Sequence, residues 1–167
     1  MRLIPTVTLR LLGFDHIVLR MYPEAFVDYL RVLVIDDSVT IRAMIEQIIN
    51  KEPGCHVVGI APDVITARRM LIELAPNVVT LDLSMPGIDG FAFLNELRDT
   101  LHAPVVVVSA STRLGSEETA RALAHGADAC FDKAKIITDA SSLITVLKRA
   151  SKRKIAGKSA VPKAPAG

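Results

Sequence analysis

Five short runs of apolar, largely β-branched residues recur along the chain between residues 32 and 131. Each run has three or four residues, and polar or turn-forming residues come after it. Uninterrupted runs of this kind are typical of strands that are covered on both faces, as in a parallel sheet. The predicted strands are Val32–Ile35, Val57–Ile60, Val78–Leu81, Val105–Val108 and Ala129–Phe131.

Between these runs the apolar positions follow the spacing of an α-helix. Ser38 predicts a helix N-cap, and the apolar residues after it recur at intervals of three and four, which makes one helical stripe. Similar spacing occurs in Ile65–Leu74, Phe91–Leu101, Glu117–His125 and Leu143–Leu147. Five alternating strand and helix units in about 117 residues predict an α/β fold, in which a five-stranded parallel sheet is doubly wound with helices on both faces.

Charge is distributed unevenly along the chain, whose formal net charge is +2. Residues 1–30 are neutral overall, residues 31–147 carry an excess of five acidic groups, and residues 148–167 carry seven basic groups and no acidic one. We therefore divide the chain into an N-terminal extension of unknown role (1–30), a folded domain (31–150) and a basic flexible tail (151–167). Because the folded domain is acidic, nucleic-acid binding is not expected.

The sequence also bears on the compartment in which the protein works. No apolar stretch approaches the roughly 20 residues that cross a bilayer, and residues 1–30 lack the features of a secretory signal. Cys55 and Cys130 have no metal-ligand spacing and predict no disulfide framework. We expect a cytoplasmic protein without a membrane span.

Polar residues stand at the ends of four predicted strands. They are Asp36 and Asp37 after the first, Asp82 after the third, Ser109 after the fourth and Lys133 after the fifth. In a parallel sheet these ends share one edge, where open α/β proteins bind ligands. Three close carboxylates repel one another unless a cation compensates, and Mg²⁺, which prefers oxygen ligands, is the expected cofactor. With a cation, an ammonium and a hydroxyl nearby, one aspartate could attack a phosphoryl group.

Each of these residues alone has an ordinary structural explanation, since Asp37 and Ser38 could cap a helix and Asp82 could belong to a turn. The combination at four strand ends favours the chemical interpretation.

A P-loop or dinucleotide site needs glycines after the first strand, whereas the turn here reads Ile35-Asp-Asp-Ser-Val-Thr40. Phosphatases of the haloacid-dehalogenase type have Asp-x-Asp after the first strand. The two acids here, Asp36 and Asp37, are adjacent, so the sequence does not match that motif.

The segment from about Arg31 to Ala150 resembles the receiver domain of two-component response regulators, which has a flavodoxin-like (βα)5 fold. The motifs that carry the resemblance are Asp36-Asp37, Asp82-Leu-Ser-Met-Pro-Gly-Ile-Asp-Gly90, Ser109-Ala110 and Lys133. Their spacing is also that of such domains, with 45 residues from Asp37 to Asp82, 27 from there to Ser109 and 24 more to Lys133.

The resemblance implies a phosphoacceptor and a metal site. Asp82 would take a phosphoryl group from the phosphohistidine of a histidine kinase or phosphotransfer protein. Asp37, Asp82 and the backbone carbonyl of Ser84 would hold Mg²⁺, with Asp36 acting mainly through a water molecule.

The resemblance also implies a switch. Ser109 and Lys133 would contact the phosphoryl oxygens, while Pro86 and Gly90 would shape the loop without contacting the reacting atoms. Phosphorylation would then change how the face formed by the fourth helix, the fifth strand and the fifth helix binds a downstream protein, whose identity is unknown.

Local motifs resemble most closely the receiver half of chemotaxis protein-glutamate methylesterases, in which a catalytic domain follows the receiver. About twenty residues follow the receiver here, too few for a hydrolase domain, and the sequence has no Gly-x-Ser-x-Gly elbow. We therefore expect a stand-alone, non-enzymatic receiver with a role in chemotaxis. The alternatives are a pseudo-receiver that binds partners without phosphorylation, a phosphate sink for a shared kinase and the regulatory fragment of a split methylesterase.

Two positions depart from the family pattern. Ala134 stands where a proline usually follows the lysine, often after a cis bond. Cys130 stands where an aromatic switch residue is usual, and Phe131 points to the opposite face by strand alternation. Either the strand is locally shifted so that Phe131 serves as the switch residue, or the aromatic part of the switch is absent.

Overall fold

The computed structural model describes residues 29–87, 89–100, 103–110 and 116–157. The predicted N-terminal extension up to residue 28, Leu101 at the predicted end of the third helix, and the tail beyond residue 157 lie outside the described residues. The elements follow one another in the order β1 (Leu30–Ile35), α1 (Val39–Lys51), β2 (Cys55–Ala61), α2 (Val64–Leu74), β3 (Val78–Leu81), α3 (Gly90–Thr100), β4 (Val105–Ser109), α4 (Glu117–Ala124), β5 (Ala129–Asp132) and α5 (Ala140–Gly157).

The five strands form one parallel sheet in the order β2-β1-β3-β4-β5. With helices on both faces, this sheet confirms the predicted doubly wound α/β fold. The chain runs outward from β1 to β2 and then returns past β1 to β3. A crevice therefore opens beyond the carboxyl ends of β1 and β3, which is where open α/β sheets bind their ligands.

Two separate apolar layers cover the faces of the sheet. Side chains such as Ala67, Leu94 and Ala122 pack α2, α3 and α4 onto one face. Ile45 and Leu147 belong to the layer that packs α1 and α5 onto the other face. Every residue of β3 and β4 is buried, which explains why their sequences are continuous apolar runs rather than alternating ones.

Side chains cap the N-terminal ends of the helices. The predicted N-cap Ser38 accepts the Ile41 N–H at 3.4 Å, which confirms the start of α1. Asp63 and Ser116 accept backbone N–H groups in the first turns of α2 and α4 in the same way. These bonds satisfy backbone donors that have no partner within the helix.

Helix α5 is the longest element and continues to Gly157, seven residues into the stretch that the sequence assigned to the tail. The added turns are rich in lysine and arginine, which the C-terminal end of a helix dipole favours. Within the described ranges, no helix is both long enough and apolar enough to cross a bilayer.

Candidate functional site

The ends of β1 and β3 lie side by side and set the position of two aspartates. Ile35 pairs with Leu81 in the last register position of the two strands, and the Asp82 N–H donates to the Ile35 carbonyl at 3.0 Å. Asp36 and Asp82 therefore leave the sheet together at its carboxyl edge. Their positions follow directly from the parallel pairing of two buried apolar strands.

Three carboxylates meet at this edge. Asp36, Asp37 and Asp82 each present one oxygen, and these oxygens all lie within 4.8 Å of one another. Asp36 and Asp82 are each only 2% exposed, whereas Asp37 is exposed to solvent. The cluster thus has a buried side formed by the sheet and an open side formed by Asp37.

Lys133 bridges the two buried carboxylates. Its Nζ lies 2.6 Å from Asp82 Oδ2 and 2.8 Å from Asp36 Oδ2, and its side chain is 16% exposed. The residue comes directly after β5, an edge strand that β3 and β4 separate from β1. One ammonium is therefore shared by two buried carboxylates, which already leaves a net negative charge, and the third carboxylate increases it.

Burial and pairing act in opposite directions on the titration of this cluster. Burial raises the pKa of the Asp36 carboxyl, and the hydrogen bonds from Lys133 and from the Ser38 N–H offset only part of that rise. Burial by itself would lower the pKa of Lys133, but its bonds to Asp36 and Asp82 outweigh that effect and the pKa is raised. Lys133 is therefore a cation at any physiological pH.

The start of α1 holds Asp36 in place. The Ser38 N–H donates to Asp36 Oδ1 at 2.8 Å, and Arg42 Nη1 donates to the Asp36 backbone carbonyl at 2.6 Å. Arg42 was not among the residues predicted from the sequence, although its place in the first turn of a helix that follows two acids is a usable signal. Arg42 acts on the backbone, so it positions Asp36 without neutralising its carboxylate directly.

Two serines lie next to Asp82. The Ser84 N–H donates to Asp82 Oδ1 at 3.0 Å, and the hydroxyls of Ser84 and Ser109 lie 3.4 Å apart. Ser109 is fully buried at the end of β4. The structure thus brings together the residues that the sequence predicted from four different strand ends.

The donor set fits a hard divalent cation. Three carboxylate oxygens lie within 4.8 Å of one another, and the Lys133 ammonium does not balance their charge, so a further cation would neutralise the remainder. Such oxygens are the ligands that Mg²⁺ prefers, and Mg²⁺ typically takes one or two carboxylates and completes its shell with water and phosphate oxygens. Within the described part of the chain, these residues form an acidic pocket of the right chemistry.

Strand β5 decides the position of the aromatic residue. β4 and β5 pair without a register shift, with Val107 opposite Cys130 and Val108 opposite Phe131. Phe131 is buried in the layer under α1 and α5, whereas Cys130 packs against the opposite layer, with its Sγ 4.0 Å from the Thr119 carbonyl of α4. Of the two alternatives from the sequence, the structure thus supports the one without a local shift, and a cysteine faces α4.

The residue after Lys133 also has a definite role. Residues Lys133–Lys135 form a 3-10 turn, and the Ala134 N–H donates to Asp132 Oδ1 at 3.0 Å. A proline has no N–H and could not make this bond. No cis peptide bond occurs among the described residues, so the chain passes from Lys133 to Ala134 through a trans bond.

Comparisons with known proteins agree on one family of domains. The profile of the response regulator receiver domain matches residues 32–147. A protein-glutamate methylesterase/protein-glutamine glutaminase of Thiobacillus denitrificans is 48% identical over 98 residues, which are 59% of this chain and 28% of that protein. One of the same name from Caulobacter vibrioides is 41% identical over 132 residues, 79% of this chain and 38% of the relative. The chain therefore spans well under half the length of these relatives.

Solved structures show the same architecture. The response regulator domain of Thermotoga maritima CheB superposes with a TM-score of 0.69 at 32% identity, covering 74% of this chain and 96% of that domain. A chain from the complex of the P1 domain of CheA3 with CheY6 from R. sphaeroides superposes with a TM-score of 0.64 at 26% identity, covering 73% of this chain and 96% of that one.

Proposed function

Because the chain belongs to the family of response regulator receiver domains, we propose that it accepts a phosphoryl group on Asp82 and thereby switches its binding to a partner protein. The donor is the phosphohistidine of a histidine kinase or phosphotransfer protein, which places the domain in the cytoplasm. The observation that supports this proposal is the nearly buried Asp82 carboxylate, which lies among two further carboxylates and the Lys133 ammonium.

In the proposed reaction Asp82 is the nucleophile. A carboxylate oxygen of Asp82 forms a bond to phosphorus, the bond from phosphorus to the histidine nitrogen breaks, and that nitrogen keeps the electron pair as the imidazole leaves. Lys133, already within 2.6 Å of the carboxylate, stays beside the growing negative charge and stabilises it. The Ser109 hydroxyl, on the adjacent strand end, donates to an oxygen of the transferred group.

A metal ion belongs to the same proposal. Asp37, Asp82 and the backbone carbonyl of Ser84 would hold Mg²⁺, and Asp36 would act on it mainly through a water molecule. When bound, Mg²⁺ supplies positive charge that offsets the repulsion between the anionic carboxylate and the anionic phosphoryl group. Asp37 faces solvent, so the side of the cluster from which the metal and the phosphoryl donor would arrive is open.

The relatives support a place in chemotaxis signalling. Curated relatives are named protein-glutamate methylesterases, and one structural neighbour comes from a complex with a CheA P1 domain. By extension, we propose that the phosphoryl donor of this chain is a histidine-phosphorylated domain similar to that P1 domain. The output surface in this proposal is the face of α4, β5 and α5.

Phosphoryl uptake from a small-molecule donor tests the proposal without knowledge of the kinase. The protein is incubated with phosphoramidate and Mg²⁺, and intact-mass measurement counts the phosphoryl groups added. We expect one group on the wild type, none on Asp82→Asn, and none on the wild type when a chelator removes Mg²⁺. Asp89→Asn is the matched control, because Asp89 is an exposed aspartate that follows Asp82 by seven residues and whose side chain accepts the Phe91 N–H.

Two results would contradict the proposal. One is labelling of Asp82→Asn to the same extent as the wild type. The other is a wild type that takes up no phosphoryl group, whether from phosphoramidate or from a phosphorylated histidine-containing domain, while Mg²⁺ is bound.

A further inference from the structure

Helix α4 is held to the body of the domain by few buried contacts. Ala122 is its one buried residue, and Leu123 is 47% exposed. The strand beneath it presents Cys130, whose small side chain lies with its Sγ 4.0 Å from the Thr119 carbonyl of α4. A helix with so little buried surface moves or opens at low free-energy cost.

A cluster that we call the Phe91 clamp joins α4 to α3. The Arg121 guanidinium carbon lies 4.0 Å from the centre of the Phe91 ring, and the His125 ring lies 5.1 Å from it, tilted by 57°. His125 Nδ1 is also 3.0 Å from Asn95 Oδ1, one turn further along α3. Arg121, His125 and Phe91 thus connect the end of α4 to the start of α3 through a cation–π contact and a ring contact.

The start of α3 rests directly on the backbone next to Asp82. A Cβ added to Gly90 would lie 2.4 Å from the Leu83 carbonyl oxygen and 2.7 Å from the Leu83 Cα. Since both are backbone atoms, Gly90 is in close contact with the residue that follows Asp82. The next residue, Ser84, donates its N–H to Asp82 Oδ1 at 3.0 Å. Phe91 immediately follows Gly90, so two adjacent residues of α3 touch the Asp82 backbone segment and α4.

From this geometry we propose that the Phe91 clamp transmits a change at Asp82 to α4. The proposal rests on the proposed function, since it requires that Asp82 becomes phosphorylated. The phosphoryl group carries roughly 1.5 to 2 negative charges in place of the single charge of the carboxylate. It is bonded to one of the two Asp82 oxygens that now accept from Ser84 and Lys133. Movement of the Leu83–Ser84 backbone then displaces Gly90, and the Phe91 ring carries that displacement to Arg121 and His125.

The chain of contacts is continuous, and its last member is the weakly anchored one. Phe91 lies against the α2, α3 and α4 layer, while Phe93, Leu94 and Leu97 fix α3 in the core. A small displacement at the first turn of α3 is therefore passed outward rather than absorbed, since packed interiors deform little. Helix α4 shifts because Ala122 is the only residue between Glu117 and Ala124 that is buried.

Hydrogen exchange of α4 in the full chain tests the coupling. Exchange of residues 117–124 is measured without ligand and after loading with Mg²⁺ and beryllofluoride, a phosphoryl analogue. The test variants are Phe91→Leu, which keeps an apolar side chain, and Arg121→Gln. The matched control is Arg68→Gln, because Arg68 lies over the other α3 ring, 5.7 Å from the centre of Phe93, on the side that faces α2.

We expect two effects of the clamp variants. Without ligand, exchange of α4 becomes about two- to fivefold faster in Phe91→Leu and Arg121→Gln, the factor expected for loss of a partly exposed cation–π contact. Loading changes α4 exchange in the wild type and in Arg68→Gln, and that change falls to less than about half in the clamp variants. Phosphoryl uptake by Asp82, measured by intact mass, stays the same in all four proteins.

The outcomes separate this proposal from the proposed function. If loading changes α4 equally in all four proteins, or Arg68→Gln loses the response as well, the clamp does not transmit the change. If the wild type is labelled at Asp82 and α4 does not respond, the coupling alone fails. If the wild type takes up no phosphoryl group, the proposed function fails and the coupling is overturned with it.

Discussion

The Lys133 ammonium and the Asp82 carboxylate form a buried ion pair at 2.6 Å, between residues 51 positions apart in the sequence. The same ammonium lies 2.8 Å from Asp36. Both carboxylates are 2% exposed, so solvent water could not solvate either of them if the lysine were absent. This pair therefore differs from surface ion pairs, which contribute little because solvent screens them.

Removal of the ammonium should destabilise the metal-free protein. We expect Lys133→Met to lower the free energy of unfolding by about 3 kcal/mol at neutral pH, since two buried carboxylates lose their partner. Mg²⁺ should restore part of that loss, because a second cation then compensates the same carboxylates. Urea unfolding followed by circular dichroism, with and without Mg²⁺, measures both effects.

A second lysine provides the control for this experiment. Lys148 lies 2.5 Å from Glu52, and the two side chains are 42% and 38% exposed. Lys148→Met should leave stability almost unchanged and independent of Mg²⁺. Equal losses in the two variants, or a loss in Lys133→Met that Mg²⁺ does not reduce, would argue against the compensating role of Lys133.

The raised pKa of Asp36 predicts a pH dependence of stability. Burial raises the pKa in the folded state above the ordinary value of 3.8. The resulting stabilisation is therefore present below 3.8 and is lost as pH rises through the folded pKa. Asp36→Asn cannot ionise, so it does not lose this stabilisation. Its free energy of unfolding relative to the wild type should therefore increase as pH rises from 3.8 through the folded pKa of Asp36, and should level off at higher pH. Unfolding in metal-free buffer between pH 4 and 8 measures this difference.

Asp63→Asn should show the opposite sign. The pKa of Asp63 is lowered, first by the hydrogen bond from the Thr66 N–H, so its stabilisation is present above 3.8 and is lost as pH falls through the folded pKa. The variant should be less stable than the wild type at neutral pH, and the difference should vanish at low pH. Parallel pH profiles for Asp36→Asn and Asp63→Asn would contradict the assignment.

The sequence predicted the site because its residues follow continuous apolar strands. Asp36 and Asp82 each come directly after such a run, and parallel strands leave no choice of edge for the residues at their ends. Lys133 could be placed for the same reason, although its sequence distance from Asp82 gives no sign of a 2.6 Å contact. Strand periodicity thus fixed which residues meet.

Contacts that depend on the path of a loop were not predictable in this way. Gly90 was expected only to shape the loop, and its close packing on Leu83 depends on how residues 83–90 turn. The bond from Arg42 to the Asp36 carbonyl depends on a rotamer. The face of Phe131 did follow from alternation, but only the unbroken register with β4 excludes a local shift.

Phe131 should behave as a core residue. Phe131→Ala should lower the free energy of unfolding by about 3 to 4 kcal/mol, since it leaves a cavity in the layer under α1 and α5. Uptake of a phosphoryl group under folding conditions should remain, because the ring lies in this apolar layer and is not one of the groups of the carboxylate cluster. Chemical denaturation and intact-mass labelling measure the two properties.

Cys130→Ala is the neighbouring control on the opposite face. Burial raises the pKa of the Cys130 thiol to about 11, so it is protonated at neutral pH and behaves as a small apolar group. Its replacement should cost much less stability than that of Phe131. A Phe131→Ala variant that stays stable but loses the response of α4 to phosphorylation would reverse this assignment of faces.

Thr80 carries a hydroxyl that is buried in the sheet. Thr80 lies in the middle of β3, opposite Val34 and Val106, and is 1% exposed. In the described part of the chain its Oγ1 has no hydrogen-bond partner. A buried hydroxyl without a partner costs free energy relative to a methyl group of the same shape. Thr80→Val should therefore raise the free energy of unfolding by about 1 kcal/mol, measured by urea denaturation.

A threonine on α5 separates this effect from a general preference for valine. The Thr145 hydroxyl donates to the Ser141 carbonyl at 2.8 Å on an exposed face, so Thr145→Val gains nothing from burial. Its helix propensity hardly changes, because both residues are β-branched. Stabilisation should appear in Thr80→Val alone. If Thr80→Val instead lowers stability, the Thr80 hydroxyl has a hydrogen-bond partner in solution. Because Thr80 lies two residues before Asp82, a buried water would then be the first candidate for that partner.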